Sequence, residues 1–411
     1  MLTRNARLKI ISRVKSAVLR HHFNIGNADY AEWLKKVDQE IPTLTAGDDD
    51  AFHKGIEDLL DRLKSSHTAF LPPDSSPPKP QYAIGVTLRP VSRFGVQHWM
   101  VLDVYDDGIA DRAGIRPGQL LLTVNGNPIA PPTLPTFRFG EDYKLVVQTA
   151  NHAESRTVML TVPTLKGLKR RLPLIEPKSV SYRMLTANVG LLRIPFFSGT
   201  FGVRFSQSLD AAVQMLKARG CNRLVVDLRG CIGGGLGFAR LVSYLCGDEI
   251  PIGYDVTRKR LMQGYNVADL PRVRMPNTTL GVLVCLARFS VQDKSLVLLT
   301  QGLGKQPFHG RVAVLINEWT ASAGEMAAQF AKDTKLATLI GQKTMGQVLG
   351  SEMFSVGYGY RLYLPIFGWY SPAGNYTEAS GVEPDVLIDV DPDGLVRGND
   401  AQLEKAVQIL Q

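Results

Sequence analysis

The sequence predicts an α/β core preceded by a helical segment and a small β-rich module. Three observations support this prediction. From residue 182 onward, apolar runs typical of strands alternate with amphipathic runs typical of helices. Residues 82–163 contain short β-rich runs separated by turn signals such as Asn125-Gly126, whereas residues 5–65 show helical spacing. Alternating strands and helices indicate a sheet with helices packed on its faces.

The N-terminal segment predicts three helices, over residues 5–22, about 28–41 and 50–65. In the third, Phe52, Ile56 and Leu59 recur at the spacing of one helix face. A Pro- and Ser-rich stretch then separates this segment from the β-rich module. We predict a helical domain over 1–79, a β-rich domain over 80–164, a linker over 165–181 and an α/β core over 182–411. Residues 252–305 lack clear periodicity, so no elements are predicted there.

Composition is that of an ordinary globular protein, with 45% hydrophobic and 21% charged residues. No apolar run has the length of a membrane span. The N-terminus lacks the apolar core of a secretory signal, so a cytoplasmic location is expected, although its Arg-rich character would also suit a mitochondrial presequence. The four cysteines show no paired spacing, which favours a reducing compartment and gives no indication of a metal site.

The net charge of +9 is concentrated in the first helix, where six basic residues lie between Arg4 and Arg20. Such a segment can bind nucleic acid or a membrane surface. No aromatic residues interleave these charges, so a solvated helix face is favoured and no nucleic-acid partner is predicted.

Ser322 lies where an apolar strand run ends and a helical run begins, in the stretch LINEWTASAGE (315–325). Ser322 and Glu325 have the spacing of a capping box, which favours a structural cap. A serine on such a turn is also exposed near free amides at a positive helix end, which favours a nucleophile. The local sequence leaves both interpretations open.

A serine nucleophile needs a base, and His67 is the histidine with a distinctive setting. It follows Ser65-Ser66 at a predicted helix end, where it could equally satisfy the last helical carbonyls. The Gly-rich loop in DLRGCIGGGLG (227–237) also has two interpretations. It could cradle a phosphate, although it lacks the third position of G-x-G-x-x-G, or it could present backbone amides to an oxyanion.

Five motifs, in order, resemble those of the tail-specific, or C-terminal processing, serine peptidases (family S41), which include tricorn protease. These are GLLRIPFF, LVVDLRGCIGGG with Cys231 in the usual Asn place, VAVLINEWTASAGE, GQKTMGQ and EASGVEPDV. The resemblance implies an α/β protease core of the ClpP/crotonase type, with an N-terminal helical domain and an inserted PDZ domain. It also implies that the middle serine of the third motif, Ser322, is the nucleophile, with no metal or other cofactor.

Residues 82–163 resemble the PDZ domain of this family. The stretch GIADRAGIRPGQLLLTVNG is similar to the PDZ pattern, with Gln119 in the place of the usual Asp. The stretch YAIGVTL is similar to the carboxylate-binding loop and first strand. The resemblance therefore implies that Ile84, Gly85 and Val86 bind a peptide C-terminus.

One departure from the family pattern bears on the mechanism. In the bacterial branch a lysine serves as general base, but Gln347 occupies that position here, and Lys343 lies at a position that is often non-catalytic. The tricorn-like branch uses a Ser-His-Ser-Glu tetrad, which the positions of Ser322, His67, Ser66 and Glu378 match.

The tricorn resemblance implies a role for each group. His67 would take the Ser322 proton, Ser66 would bond His67, and Glu378 would orient Ser66, with Glu383 ranked below Glu378. Backbone amides of Ala323 and of Gly233 or Gly234 would form the oxyanion hole. A histidine base predicts activity rising through about pH 6–7.

The predicted function is therefore a serine endopeptidase that cleaves polypeptides near exposed C-termini through an acyl-enzyme, with a homo-oligomer expected because the family often assembles. Three other functions are compatible with parts of the sequence: a non-catalytic ligand-binding scaffold, a peptide-binding adaptor with a vestigial protease half, and a dinucleotide-binding enzyme.

Overall fold

The computed structural model describes residues 2–23, 29–73, 84–93, 95–138, 140–149, 154–163, 178–276, 278, 280–284 and 295–411. Most of the predicted linker therefore lies outside the described residues. The helices are α1 (Arg4–His21), α2 (Tyr30–Ala46), α3 (Asp49–Asp61), α4 (Ile109–Arg112), α5 (Val203–Ala218), α6 (Phe238–Leu245), α7 (Arg258–Gln263), α8 (Ala323–Thr334), α9 (Pro392–Val396) and α10 (Ala401–Leu410).

The strands form three sheets. They are β1 (Ala69–Leu71), β2 (Val86–Arg93), β3 (Val96–Val104), β4 (Gln119–Val124), β5 (Asn127–Pro128), β6 (Asp142–Thr149), β7 (Ser155–Thr161), β8 (Ser181–Met184), β9 (Val189–Arg193), β10 (Arg223–Asp227), β11 (Pro251–Thr257), β12 (Arg272–Arg274), β13 (Leu296–Leu299), β14 (Val312–Ile316), β15 (Thr338–Gly341), β16 (Gly350–Gly357), β17 (Tyr360–Tyr370) and β18 (Val386–Leu387).

The central sheet has the strand order β18-β15-β14-β10-β9-β8 and is parallel except for β8. Its central strands, such as β14, are buried along their whole length, as parallel strands covered on both faces must be. Residues of α5, α6 and α8 pack with one face, and residues of α10 pack with the other. The predicted α/β core is confirmed.

A second sheet has the order β1-β17-β11-β13-β12, with β16 also paired to β17. It contains the elements of residues 252–305 that the sequence did not predict. The helices α1 to α3 form an apolar cluster that includes Leu362 and Leu364 of β17. Strand β1, which follows α3, pairs with β17 through Ala69 and Tyr363. The helical segment therefore packs against the second sheet of the α/β core.

The β-rich module is a sheet of order β2-β3-β4-β6-β7, with β5 paired to β4. Its five longer strands lie where the alternating apolar runs predict them. Strand β2 is an edge strand of this sheet. No helix in the described part of the chain combines the length and the apolar character needed to cross a bilayer.

Candidate active site

Ser322 lies at a sharp turn between the carboxyl end of β14 and the first residue of α8. Its backbone has φ +52° and ψ −120°, a region that residues with a side chain rarely occupy. Strained backbone of this kind persists only where the surroundings hold it, and it is concentrated at functional sites. The Ser322 N–H donates to the Glu325 carboxylate at 3.1 Å and to the Gln347 carbonyl at 2.9 Å. Ser322 is therefore the N-cap of α8 and also has the geometry of a nucleophile elbow. The structural cap and the nucleophile predicted from the sequence are compatible with each other.

Glu325 has a larger role than the predicted cap. Its side chain is fully buried, and its oxygens also accept hydrogen bonds from the Thr344 hydroxyl at 2.5 Å and from the N–H groups of Gly346 and Gln347 at 2.7 Å. Burial raises the pKa of this carboxyl, and the hydrogen bonds oppose that effect. Glu325 thus fastens residues 344–347 to the elbow. The sequence feature that indicates this role is the position of Glu325 among small and apolar residues, in TASAGEMAA.

The Gly-rich loop follows β10 and lies directly against the elbow. Gly233 has φ +85°, and a Cβ atom added there would lie 2.5 Å from the Ser322 Cβ and 3.1 Å from the Ala323 nitrogen. A Cβ at Gly235 would meet the Gly199 carbonyl oxygen at 1.9 Å. The glycines are therefore explained by close approach of other chain segments, without a phosphate ligand.

Backbone donors are available at this contact. Among the described residues, no hydrogen-bond acceptor takes the N–H of Gly234 or of Ala323. The Gly233 carbonyl accepts from Phe197 at 2.8 Å, which holds the loop in place. Cys231 lies behind the loop, where its carbonyl accepts from Ala321 at 2.8 Å and burial raises the pKa of its thiol to about 12. The arrangement offers N–H groups beside the Ser322 turn, as an oxyanion hole requires.

The predicted base lies on the loop between α3 and β1. The Ser66 hydroxyl and the His67 Nδ1 atom are 2.8 Å apart, so the adjacent pair is hydrogen-bonded. His67 has φ +57°, again an uncommon conformation for a residue with a side chain. Burial lowers the pKa of His67 to about 4, which keeps its imidazole neutral and able to accept a proton at physiological pH.

Glu378 joins this loop to the segment that follows the elbow. One of its oxygens accepts from the Ser66 N–H at 3.1 Å, and the other accepts from the Val348 N–H at 2.7 Å. Glu378 was predicted to orient Ser66, and it accepts a hydrogen bond from the Ser66 backbone rather than from its hydroxyl. Glu383 instead pairs with Lys343 at 3.0 Å, and both side chains are largely exposed.

Residues 347–351 bring the nucleophile and base regions to one place. Gln347 accepts from the Ser322 N–H, Val348 contacts Glu378, and the Ser351 hydroxyl donates to the His67 carbonyl at 3.3 Å. Within the described residues, no hydrogen bond joins the His67 imidazole to the Ser322 hydroxyl. Catalytic hydrogen bonds are often long without substrate and shorten when it binds. The described residues contain no cluster of three or more metal-binding side chains.

The predicted peptide-binding residues of the β-rich module are covered. Ile84, Gly85 and Val86 are all buried, the Ile84 carbonyl accepts from Ala110, and the Gly85 carbonyl accepts from Tyr105. The Leu88 carbonyl on edge strand β2 accepts from the Trp319 indole at 3.0 Å. The α/β core therefore contacts the strand that a peptide would extend, and peptide binding at these three residues stays a prediction.

The same module also contacts the loops of the active site. Asp103 accepts from the Asn317 side chain at 3.2 Å, and Asn317 in turn accepts from the Gly230 N–H at 2.9 Å. The Tyr105 hydroxyl donates to the Gly230 carbonyl at 2.6 Å. Asn317 begins the elbow and Gly230 begins the Gly-rich loop. Hence two side chains of the β-rich module hold both loops that surround Ser322.

The pKa of His67 changes the expected pH dependence. A base must be deprotonated to act, so we expect kcat/KM to fall only as the pH drops through about 4, not through 6–7 as an unperturbed histidine predicts. A pH–rate profile on an unstructured peptide measures this acid limb. The residual activity of His67→Ala should lack the limb. A wild-type limb at pH 6–7 would show that the imidazole is solvated in the working enzyme.

Comparison with protein families supports the motif analysis. Residues 188–388 match the model of peptidase family S41, and residues 100–139 match a PDZ domain model. The first region contains the Gly-rich loop, the elbow and Glu378. The second contains β4, most of β3 and the α4 segment between them. The peptidase match therefore includes the nucleophile region, whereas the Ser66-His67 pair lies outside it.

Known proteins agree with this placement. The chain is 25% identical over 365 residues to carboxyl-terminal-processing peptidase 1, chloroplastic, of Arabidopsis thaliana, covering 86% of this chain but 65% of that protein. It is 23% identical over 394 residues to a protein of Staphylococcus epidermidis named as a CtpA-like serine protease, covering 92% and 70%.

Solved structures show the same fold. The photosystem II D1 C-terminal processing protease superposes with a TM-score of 0.56 at 19% identity, covering 97% of both chains. Mature CPAF superposes with a TM-score of 0.58 at 14% identity, covering 99% of this chain and 98% of that one. Residues 188–388 therefore match peptidase family S41, and the relatives and the fold together indicate a serine peptidase with a PDZ domain.

Proposed function

We propose that this serine peptidase is an endopeptidase that cleaves unstructured polypeptides near their C-termini through Ser322 and His67. The observation that carries the proposal is the shared segment 347–351, which contacts the strained Ser322 turn, the Glu378 carboxylate and the His67 loop. The names of relatives that process C-termini support the substrate class. The Ser-His-Ser-Glu assignment rests on the hydrogen-bonded Ser66–His67 pair and on Glu378.

The mechanism follows from the donors and acceptors present. Substrate binding closes the gap between His67 and Ser322, and the His67 Nε2 atom accepts the Ser322 proton as its oxygen attacks the peptide carbonyl. The His67 Nδ1–H donates to the Ser66 hydroxyl, which sets the tautomer. The N–H groups of Ala323 and of Gly233 or Gly234 stabilise the oxyanion. His67 then returns the proton to the leaving amine, and water hydrolyses the acyl-enzyme.

Replacing Ser322 with alanine tests this function. We expect Ser322→Ala to abolish both peptide hydrolysis and labelling by a fluorophosphonate, because no acyl-enzyme can form without the hydroxyl. Ser208→Ala changes an exposed serine on α5 and should match wild type in both measurements. Peptides with free and amidated C-termini, compared in the same assay, measure the C-terminal preference. A wild-type chain that neither labels nor cleaves would favour the non-catalytic scaffold or the peptide-binding adaptor.

A further inference from the structure

His22 lies buried behind the loop that carries His67. It follows the last residue of α1 and is 1% exposed. Its Nδ1 atom lies 2.8 Å from the Tyr30 hydroxyl, and its Nε2 atom lies 2.8 Å from the Ser65 hydroxyl. Both ring nitrogens are therefore engaged, one with α2 and the other with the residue that precedes the Ser66–His67 pair.

The hydrogen bonds continue from Ser65 into the backbone of the pair. The Ser65 and Thr68 hydroxyls are 3.0 Å apart, and the Thr68 hydroxyl donates to the Ser66 carbonyl at 3.4 Å. Since Thr68 donates onward, Ser65 donates to Thr68 and accepts from the His22 Nε2–H. The Tyr30 hydroxyl lies 2.8 Å from Nδ1 and 3.1 Å from the His22 carbonyl, so two acceptors are within reach of its one proton. These contacts link His22 to α2 on one side and to the base loop on the other.

The surroundings of His22 favour its neutral form. Burial, and then the positive charge of Arg258, lower the pKa of His22 to about 4. Arg258 donates to the Leu19 carbonyl at 2.6 Å and lies over the Tyr30 ring at 4.9 Å. The end of α1, Tyr30 and Arg258 thus form one packed unit that fixes the imidazole.

The loop needs such an anchor because its backbone is strained on both sides of Ser65. Lys64 has φ +52° and His67 has φ +57°. Conformations of this kind persist only when the surrounding contacts hold them. Glu378 holds the Ser66 N–H from one side, and the chain from His22 holds the Ser66 carbonyl from the other.

We propose that His22 is a positioning residue for His67, which holds the base loop in its reactive conformation through Ser65 and Thr68. This inference rests on the proposed role of His67 as the base. His22 does not contact the reacting atoms, so its removal should affect the rate of the chemical step rather than the binding of substrate.

The test is steady-state kinetics of His22→Ala over a range of pH. A misplacement of a catalytic group by about 1 Å costs about 100-fold in rate, so we expect kcat to fall about 10- to 100-fold with KM within about twofold. We also expect the acid limb to move from about pH 4 toward 6.5, because water reaches the loosened imidazole. His22→Gln, whose amide can donate to Ser65, should recover part of kcat.

A matched control and a second variant make the outcome decisive. His309 also uses both ring nitrogens, with Gln306 and Tyr244, but does not contact the base loop, so His309→Ala should retain wild-type kcat and acid limb. If His22→Ala does not fold, Ser65→Ala interrupts the same chain with a smaller change. A lowered melting temperature with unchanged kcat and acid limb would overturn the inference. Full activity of His67→Ala would instead overturn the proposed function.

Discussion

His67→Ala should lower kcat by about 10⁴-fold or more, because the Ser322 hydroxyl then has no base to accept its proton. KM should change little, since the imidazole acts on the serine rather than on the bound peptide. Burst-phase measurements with an activated ester should show that acylation, not deacylation alone, is slowed. A circular dichroism spectrum matching wild type would show that the fold is retained.

Lys343→Ala is the matched control for the choice of base. Lys343 pairs with Glu383 at 3.0 Å on the surface, and its removal should leave kcat unchanged. The side chain of Gln347, in the place of the lysine base of bacterial relatives, is an amide that cannot accept a proton at neutral pH. Loss of activity in Lys343→Ala together with full activity in His67→Ala would establish a Ser-Lys mechanism and refute the one proposed here.

Gly233→Ala should reduce kcat by at least about 100-fold, because a shifted loop displaces the backbone donors beside Ser322 and losing one such donor costs about this much. The added Cβ would lie 2.5 Å from the Ser322 Cβ, closer than nonbonded carbon atoms approach, so either the loop or the elbow must shift. The positive φ of Gly233 adds strain of its own. Fluorophosphonate labelling should slow in parallel with hydrolysis, because both reactions use the same serine and the same oxyanion donors.

Gly310→Ala separates the steric effect from the backbone effect. Gly310 has φ +78°, close to the +85° of Gly233, but a Cβ there would meet nothing within 4 Å. This variant should lose some stability to backbone strain and keep its kcat. Equal losses of kcat in the two variants would mean that the contact with Ser322 is not the cause. Thermal unfolding of both variants measures the shared backbone contribution.

The parts of the fold that local patterns encode were predictable. The alternation after residue 182 predicted the sheet with helices on its faces, and the five β-rich runs predicted the long strands of the PDZ domain. Strands β11 to β13 were not predicted because β12 has only three residues, β13 is buried throughout without alternation, and β11 continues directly into α7. The pairing of β1, which follows the helical segment, with β17 was not predictable either, because Ala69 and Tyr363 are 294 positions apart along the chain.

The site shows the same division. Ser322, Ser66-His67 and Glu378 were predicted because each matches a position of a family motif, and their catalytic roles stay predictions. His22 was missed because its role depends on Tyr30 and Ser65, which no local pattern connects to it. The role of Glu325 was underestimated because the cap spacing explained only one of the four groups that it binds. The low pKa of His67 arises from burial, which the sequence around it does not reveal.

The hydrogen bond that Asn317 donates to Asp103 and the one that Tyr105 donates to Gly230 link the position of the PDZ domain to the conformation of the two loops around Ser322. Coupling free energies are reciprocal. If contact with the PDZ domain increases the affinity of the Ser322 turn for an inhibitor by some factor, the bound inhibitor increases the affinity of the PDZ domain for these loops by the same factor. We therefore expect an inhibitor bound at Ser322 to strengthen the contact of the PDZ domain with these two loops, even when the inhibitor does not touch that domain.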